Sequence, residues 1–403
     1  MKTLSKPDTS NQLNNTRPEI ELIFCCARTH INSGTVERIK TLVKQDINWE
    51  YLFRIANWHG VMPLLYWSLK NTCPESIPQA QFDYLHQVFQ RNSYRNLILT
   101  QQLLQLLSFL EQHKISALPF KGPLLAASIY GNLSLRRISD LDILVHKQDF
   151  QKTADLLVAQ GYEYWLEAKV QWECHLVKND GISNIDLHCE IVPKHLSCAI
   201  SNNYWWENLE SFNLAGTVVP NLSPEAWFLI ISLNGTKECW KSLNRICDVA
   251  EVLRAYPNMD WNKILQQAKK LGFQRLIFVA IILAKNLLEA PVPEVVWLQA
   301  QKDNVAKNMA TQISEKLFVE TNERTLEVHR TLFHIKTRER LQDKVRIFID
   351  LMNYSGWFTL TEKDLNLVRL PKSLYFLYYF IRPIRILGKY RKPLLRYVGI
   401  KKD

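Results

Sequence analysis

Apolar residues recur at helical spacing through Ile20–Cys26, Val36–Val43, Trp49–Trp58 and Leu85–Leu110. Residues 19–114 therefore read as a helical region. Trp49, Trp58 and Trp67 fall in this stretch and are expected to fill its core, as large aromatics mostly do. His59 and His113 stand near expected helix ends, as caps or surface residues. Past residue 114 the period changes. Short apolar runs bounded by turn residues predict strands at Ser116–Phe120, Asp140–His146, Tyr162–Leu166, Cys174–Lys178 and Ser183–Glu190. Helices are expected at Pro123–Tyr130 and Gln148–Gln160, each stopped by the glycine that follows. Asn179-Asp180-Gly181 predicts a turn that joins the last two strands as a hairpin. The helical period returns from Pro224 to Lys285, with Ser223 placed as an N-cap. The pattern gives an α+β chain: a disordered 1–18, a helical 19–114, a core of small mixed sheet and helices at 115–192, a helical 193–365 and a basic aromatic tail at 366–403.

The core holds the candidate chemistry. Lys121-Gly122-Pro123 has the start signals of a helix, a glycine cap and a proline in the first turn. A helix N-terminus behind a glycine offers free N–H groups and a positive dipole end to an anion. Lys121 is expected near that anion or simply at a strand end. Next comes Asp140-Leu141-Asp142-Ile143-Leu144-Val145. Residues two apart on a strand share a face, so Asp140 and Asp142 project together. Two carboxylates about 5–7 Å apart repel by roughly 2–3 kcal/mol at an effective dielectric near 20. A hard divalent cation removes that repulsion, and oxygen ligands suit Mg²⁺. In the last strand Asn184, Asp186 and His188 share one face, so Asp186 can meet the first pair across the sheet. A phosphate cradle followed by a metal-binding acid pair points to chemistry on a nucleoside triphosphate.

Lys-Gly, a short helix ending in Tyr130, Arg136, then Asp-x-Asp on a strand resembles the nucleotidyltransferase superfamily that shares the DNA polymerase β fold, and within it an uncharacterised bacterial branch. The resemblance runs from about residue 20 to 300. It implies Asp140, Asp142 and Asp186 as catalytic and metal-binding carboxylates. It implies Lys121, Gly122, Pro123 and Arg136 as nucleotide-binding residues, with Arg136 and Arg137 either guiding a triphosphate or pairing with the acids. Mg²⁺ is the implied cofactor and ATP or another NTP the implied donor substrate. Leu233–Ala250 resembles the family's helical half, but Asn234-Gly235 stands where the branch usually has His-Gly.

Composition narrows the classes. The eight cysteines include no C-x-x-C pair, which argues against zinc and thioredoxin-like chemistry. Cys174-His175 and His188-Cys189 do not change this, because adjacent strand residues point to opposite faces. The N-terminus lacks an apolar signal core, and no apolar run reaches the ~18–20 residues of a spanning helix. A cytoplasmic protein is expected. The net charge is +11, but residues 366–403 hold ten Lys/Arg against one acid. The rest is close to neutral, so there is no strong nucleic-acid signal, and a nucleic-acid enzyme of the same superfamily is disfavoured. The aromatic run Ser373–Ile381 and the cations after it either pack on the body or lie on an anionic membrane surface.

The expected reaction moves a nucleoside monophosphate from an NTP, ATP first, to an unidentified acceptor that is a small molecule, sugar, peptide or protein. The rival is a non-catalytic protein of the same fold, docked on a partner or membrane. Lys237, Lys241 and Arg245 either reach toward the triphosphate or form a solvated face. Asp248 is expected as a helix-surface or salt-bridge residue.

Overall fold

The computed structural model describes residues 17–165, 172–191, 203–207, 209–319 and 326–354. The stretches read as a disordered N-terminus and a basic aromatic tail lie outside these residues, apart from Arg17 and Pro18. Five helices come first: α1 Pro18–Cys26, α2 Ser33–Val43, α3 Trp49–Trp58, α4 Met62–Thr72 and α5 Gln79–Gln112. The mixed unit follows as β1 Ala117–Pro119, α6 Gly122–Ser128, β2 Leu141–Val145, α7 Phe150–Ala159, β3 Glu163–Tyr164, β4 Glu173–Val177 and β5 Asn184–His188. Then come α8 Asn203–Trp206, β6 Glu210–Leu214, β7 Thr217–Asn221, α9 Pro224–Lys237, α10 Leu243–Ala255, α11 Trp261–Leu271 and α12 Gln274–Leu288. The described chain closes with α13 Glu294–Lys302, α14 Asn304–Lys316, α15 Leu326–Lys336 and α16 Leu341–Tyr354. This is the expected α+β architecture. None of the described helices is long and apolar enough to cross a membrane.

The main sheet has the strand order β1-β2-β5-β4-β3. β2 and β5 run parallel, and the other neighbours are antiparallel. Every residue of β2 is buried, which marks it as a central strand covered on both faces. The β4–β5 turn forms as predicted. Asp180 accepts from the N–H groups of Ile182 and Ser183 at 2.8 and 2.7 Å, an Asx turn that fixes the hairpin. In the helical half, α9 and α12 are apolar nearly all round and buried along most of their length, as core helices must be. Their starts and their neighbours' are set locally: the Ser223 side chain accepts from Ala226 N–H at 3.3 Å and Asp260 from Lys263 N–H at 3.0 Å.

Two polar contacts set the frame around the sheet. The first is a clamp from α5 on the loop between α6 and β2. Asn92 Nδ2 donates to the Ser134 carbonyl at 2.8 Å, and Asn96 Nδ2 to those of Leu133 and Arg136 at 2.6 and 2.8 Å. Arg95 reaches the Ser139 carbonyl at 3.1 Å. A loop that forms no ladder would leave those carbonyls unpaired, and the helix side chains satisfy them. The second is a buried ion pair between Arg136 on that loop and Asp248 on α10, at 2.9 and 3.0 Å, with the Tyr130 hydroxyl donating to the same carboxylate at 2.6 Å. Burial opposes the charge on Arg136, but Asp248 outweighs it and raises the guanidinium pKa.

Three expectations change, and two open readings are settled. Residues 193–365 are not only helical: β6 and β7 form a separate hairpin through Ala215-Gly216, both at positive φ, 50° and 89°. The positive φ at both central positions is what a tight hairpin turn needs. Helix α6 begins at Gly122 rather than Pro123 and ends at Ser128. Trp58, the last residue of α3, is 77% exposed, whereas Trp49 and Trp67 pack on the core. His59 caps α3 but is buried, and its Nδ1 accepts from Leu243 N–H at 3.1 Å. Of the two readings of Asp248, the salt bridge holds and the helix surface does not.

Two stability predictions follow from these contacts. Burial lowers the His59 pKa to about 4 from the ordinary 6.5. The unfolded chain then binds the extra proton first, so stability falls as pH drops from 7 to 5, by roughly 2 kcal/mol. Urea unfolding at the two pH values should show that slope, and His59→Gln should flatten it. Asp248→Ala strands a buried guanidinium and should cost about 3–5 kcal/mol. Arg137→Ala, at an exposed neighbour, should cost less than about 1 kcal/mol in the same assay.

Candidate functional site

The parallel register of β2 and β5 places Asp142 beside Asp186 and Leu144 beside His188. Side chains at one register level of adjacent strands share a face, and so do residues two apart. Asp142, Asp186 and His188 therefore converge, and their donor atoms all lie within 4.8 Å of one another. β4 adds to the same face, because His175 is opposite Asp186 and Glu173 is opposite His188. His175 Nδ1–H donates to Asp186 Oδ1 at 2.6 Å, and its Nε2 is 3.5 Å from Glu173. Glu173, His175 and Asp186 form a second group with donors within 4.8 Å.

Asp140 differs from expectation. It precedes the first residue of β2 and belongs to neither of these groups. It is outside the ladder, so strand alternation does not fix its direction. It still feels the cluster: burial, then the charges of Asp142 and Asp186, raise its pKa. For Asp142, burial alone would push the carboxyl up. Lys121 and His188 outweigh it and hold the group well below the usual carboxylate range. Lys121 Nζ lies 2.6 Å from Asp142 Oδ1. Of its two expected positions it takes the strand end, just past β1, with its ammonium on a carboxylate.

Gly122 opens α6 with φ +57°, and a Cβ there would stand 3.2 Å from the Asp140 carbonyl oxygen. Both the left-handed backbone and the close approach need glycine. Pro123 follows, buried in the first turn. Arg136, expected at the nucleotide, is instead buried against Asp248. Its Nε and Nη2 are spent inside the protein, because an α10 carboxylate far along the chain closes over it.

One contributor, Glu173, escaped the sequence reading, and one weighed there, Lys237, is brought to the site. Glu173 is the first residue of β4, one before the predicted strand; starting the alternation there would have put it on the His175 face. Lys237, at the end of α9, lies 3.6 Å from Glu173 and 5.2 Å from the centre of the Trp172 ring. Of the three cations on that segment it faces the sheet, while Lys241 pairs with Glu238 at 2.7 Å in the open.

The donor set fits a divalent cation. Asp140, Asp142, Asp186 and Glu173 are four carboxylates gathered against the ammonium groups of Lys121 and Lys237. Among the described residues, neither ring nitrogen of His188, which is 1% exposed, has a hydrogen-bond partner. Its Nε2 is 3.5 Å from Asp142 Oδ1, too long for a formed hydrogen bond. Clustered carboxylates beside an imidazole nitrogen make a donor set that a divalent cation can use.

The sequence model of a family described as uncharacterised nucleotidyltransferase matches residues 45–289, from just before α3 to the end of α12. No curated protein and no solved structure matches the chain.

Gly122 gives the test of this geometry. Gly122→Ala and Gly131→Ala both place alanine at positive φ, but nothing lies within 4 Å of a Cβ at Gly131. Each should lose about 1 kcal/mol for the backbone. Gly122→Ala should lose at least about 1 kcal/mol more, because the Asp140 peptide must shift. Equal urea midpoints for the two variants would contradict the close approach.

Proposed function

The chain belongs to the uncharacterised nucleotidyltransferase family, and on that premise we propose that it transfers a nucleoside monophosphate from an NTP, ATP first, to an acceptor hydroxyl. The observation that carries this reading is the register pairing of Asp142 with Asp186, which sets two carboxylates side by side where a triphosphate can be met. In the proposed reaction the acceptor oxygen attacks the α-phosphorus. The bond from that phosphorus to the β-phosphate oxygen breaks, and pyrophosphate leaves with its electron pair. Asp186, the more open of the two, takes the acceptor's proton. His175 holds it by the 2.6 Å hydrogen bond.

A divalent cation, with Mg²⁺ the first candidate, would be held by Asp142 and Asp186, with Asp140 beside them, and would supply charge neutralisation of the phosphates. Lys121, now on the Asp142 carboxylate, would move to a phosphate oxygen when the triphosphate binds. Gly122 keeps the start of α6 free of a side chain, so that the backbone can approach the triphosphate. Arg136 is left out of the phosphate-binding set, since Asp248 holds it. The acceptor class follows from the assay rather than from the site.

The experiment is incubation with α-labelled ATP, a divalent ion and fractionated lysate. Wild type should pass label to one fraction and name the acceptor class. Asp142→Asn with Asp186→Asn should lose transfer by at least about 10³-fold while remaining folded by circular dichroism. Undiminished labelling by the double variant would sink the catalytic reading and favour the non-catalytic alternative.

A further inference from the structure

We propose that His188 is a direct metal ligand, forming with Asp142 and Asp186 a mixed nitrogen–oxygen site that favours a first-row transition ion over Mg²⁺. This rests on the reading of Asp142 and Asp186 as metal ligands, and adds the third ligand and the choice of ion.

Three observations point the same way. His188 is buried, and among the described residues neither Nδ1 nor Nε2 has a hydrogen-bond partner, Nε2 having only the 3.5 Å contact with Asp142. A histidine kept in such a place for packing alone is poorly suited to it, because two polar nitrogens lose water for at most one long contact with a carboxylate. Next, the ring is held from the sides. The Phe120 ring meets it edge-on at 5.0 Å and Trp172 lies at 6.2 Å, while Nε2 faces Asp142 Oδ1. That same oxygen carries the Lys121 ammonium, so it already serves as a cation position. Third, the set whose donors lie within 4.8 Å contains His188 and not Asp140. Donors on opposite sides of an ion bound at about 2.1–2.2 Å are about 4.3 Å apart. The three atoms are therefore close enough for small side-chain movements to bring them onto one ion.

The donor chemistry decides the metal. Mg²⁺ takes oxygen ligands and holds its waters, so a nitrogen in the first sphere gains it little. Imidazole binds first-row ions, and affinity rises from Mn²⁺ to Co²⁺ along the series. One imidazole beside two carboxylates should thus rank Co²⁺ above Mn²⁺ and Mn²⁺ above Mg²⁺.

The test uses the full chain with MnCl₂, CoCl₂ and MgCl₂ as probes, by titration calorimetry and by electron spin-echo spectroscopy of bound Mn²⁺. Wild type should bind Mn²⁺ at least about tenfold tighter than Mg²⁺ and show ¹⁴N modulation. His188→Gln should lose the modulation and weaken Mn²⁺ at least about tenfold, with Mg²⁺ binding within about twofold of wild type. Mn²⁺ bound at Asp142 without ¹⁴N modulation would overturn the proposal and leave the carboxylate site standing. Modulation that survives in His188→Gln would also overturn it, by passing the nitrogen to His175. Metal binding that is the same in wild type and Asp142→Asn would remove the site on which both readings rest. Should His188→Gln fail to fold, the wild-type modulation and affinity order still decide, in combination with His175→Gln.

Discussion

The parallel pairing of β2 with β5 is the constraint on which the site depends. It sets Asp142 level with Asp186 on adjacent strands about 4.8 Å apart, where two ionised carboxylates repel by about 3 kcal/mol at an effective dielectric near 20. A fold that accepts this must neutralise it. In this structure Lys121 does so from one side and His175 from the other. Glu173 and Asp140 add further negative charge beside the pair, which a cation can balance.

The surrounding elements keep that pairing in place. β2 is buried along its whole length, so its register cannot slip without moving apolar residues out of the core. The loop that delivers it is held by Asn92, Arg95 and Asn96 on α5 and by Arg136 on Asp248 of α10. The helical regions before and after the sheet are therefore fastened to the same ten residues, from Gly131 to Asp140. A buried ion pair of this kind adds little net stability, but it is costly to break from one side. That makes it a device for fixing position, and what it fixes is the approach to the acid cluster.

Separation of roles among the carboxylates comes from their surroundings. Asp142 is buried and has Lys121 and His188 against it, so it stays ionised. For Asp140 burial comes first and the charges of Asp142 and Asp186 add to it, so its pKa rises. Asp186 is the more open of the paired acids and has a histidine hydrogen-bonded to it. Asp140 and Asp142, of one chemistry, thus acquire different proton affinities, as carboxylates at working sites commonly do.

The sequence by itself determined the local terms. The 3.6 period placed the helices before and after the sheet, the short apolar runs placed its five strands to within a residue or two, and Asn179-Asp180-Gly181 closed the hairpin. Alternation put Asp186 and His188 on one face, and Gly122 at a turn that only glycine fits. These depend on neighbours along the chain. Tertiary structure decided what depends on partners far away. No spacing rule joins Arg136 to Asp248, 112 positions on, or brings Lys237 to Glu173. Alternation says which residues share a face, but not which strand lies alongside or at what level. The β2–β5 register made Asp142, Asp186 and His188 a group and left Asp140 beside it, because donor atoms meet only where backbone pairing sets their level.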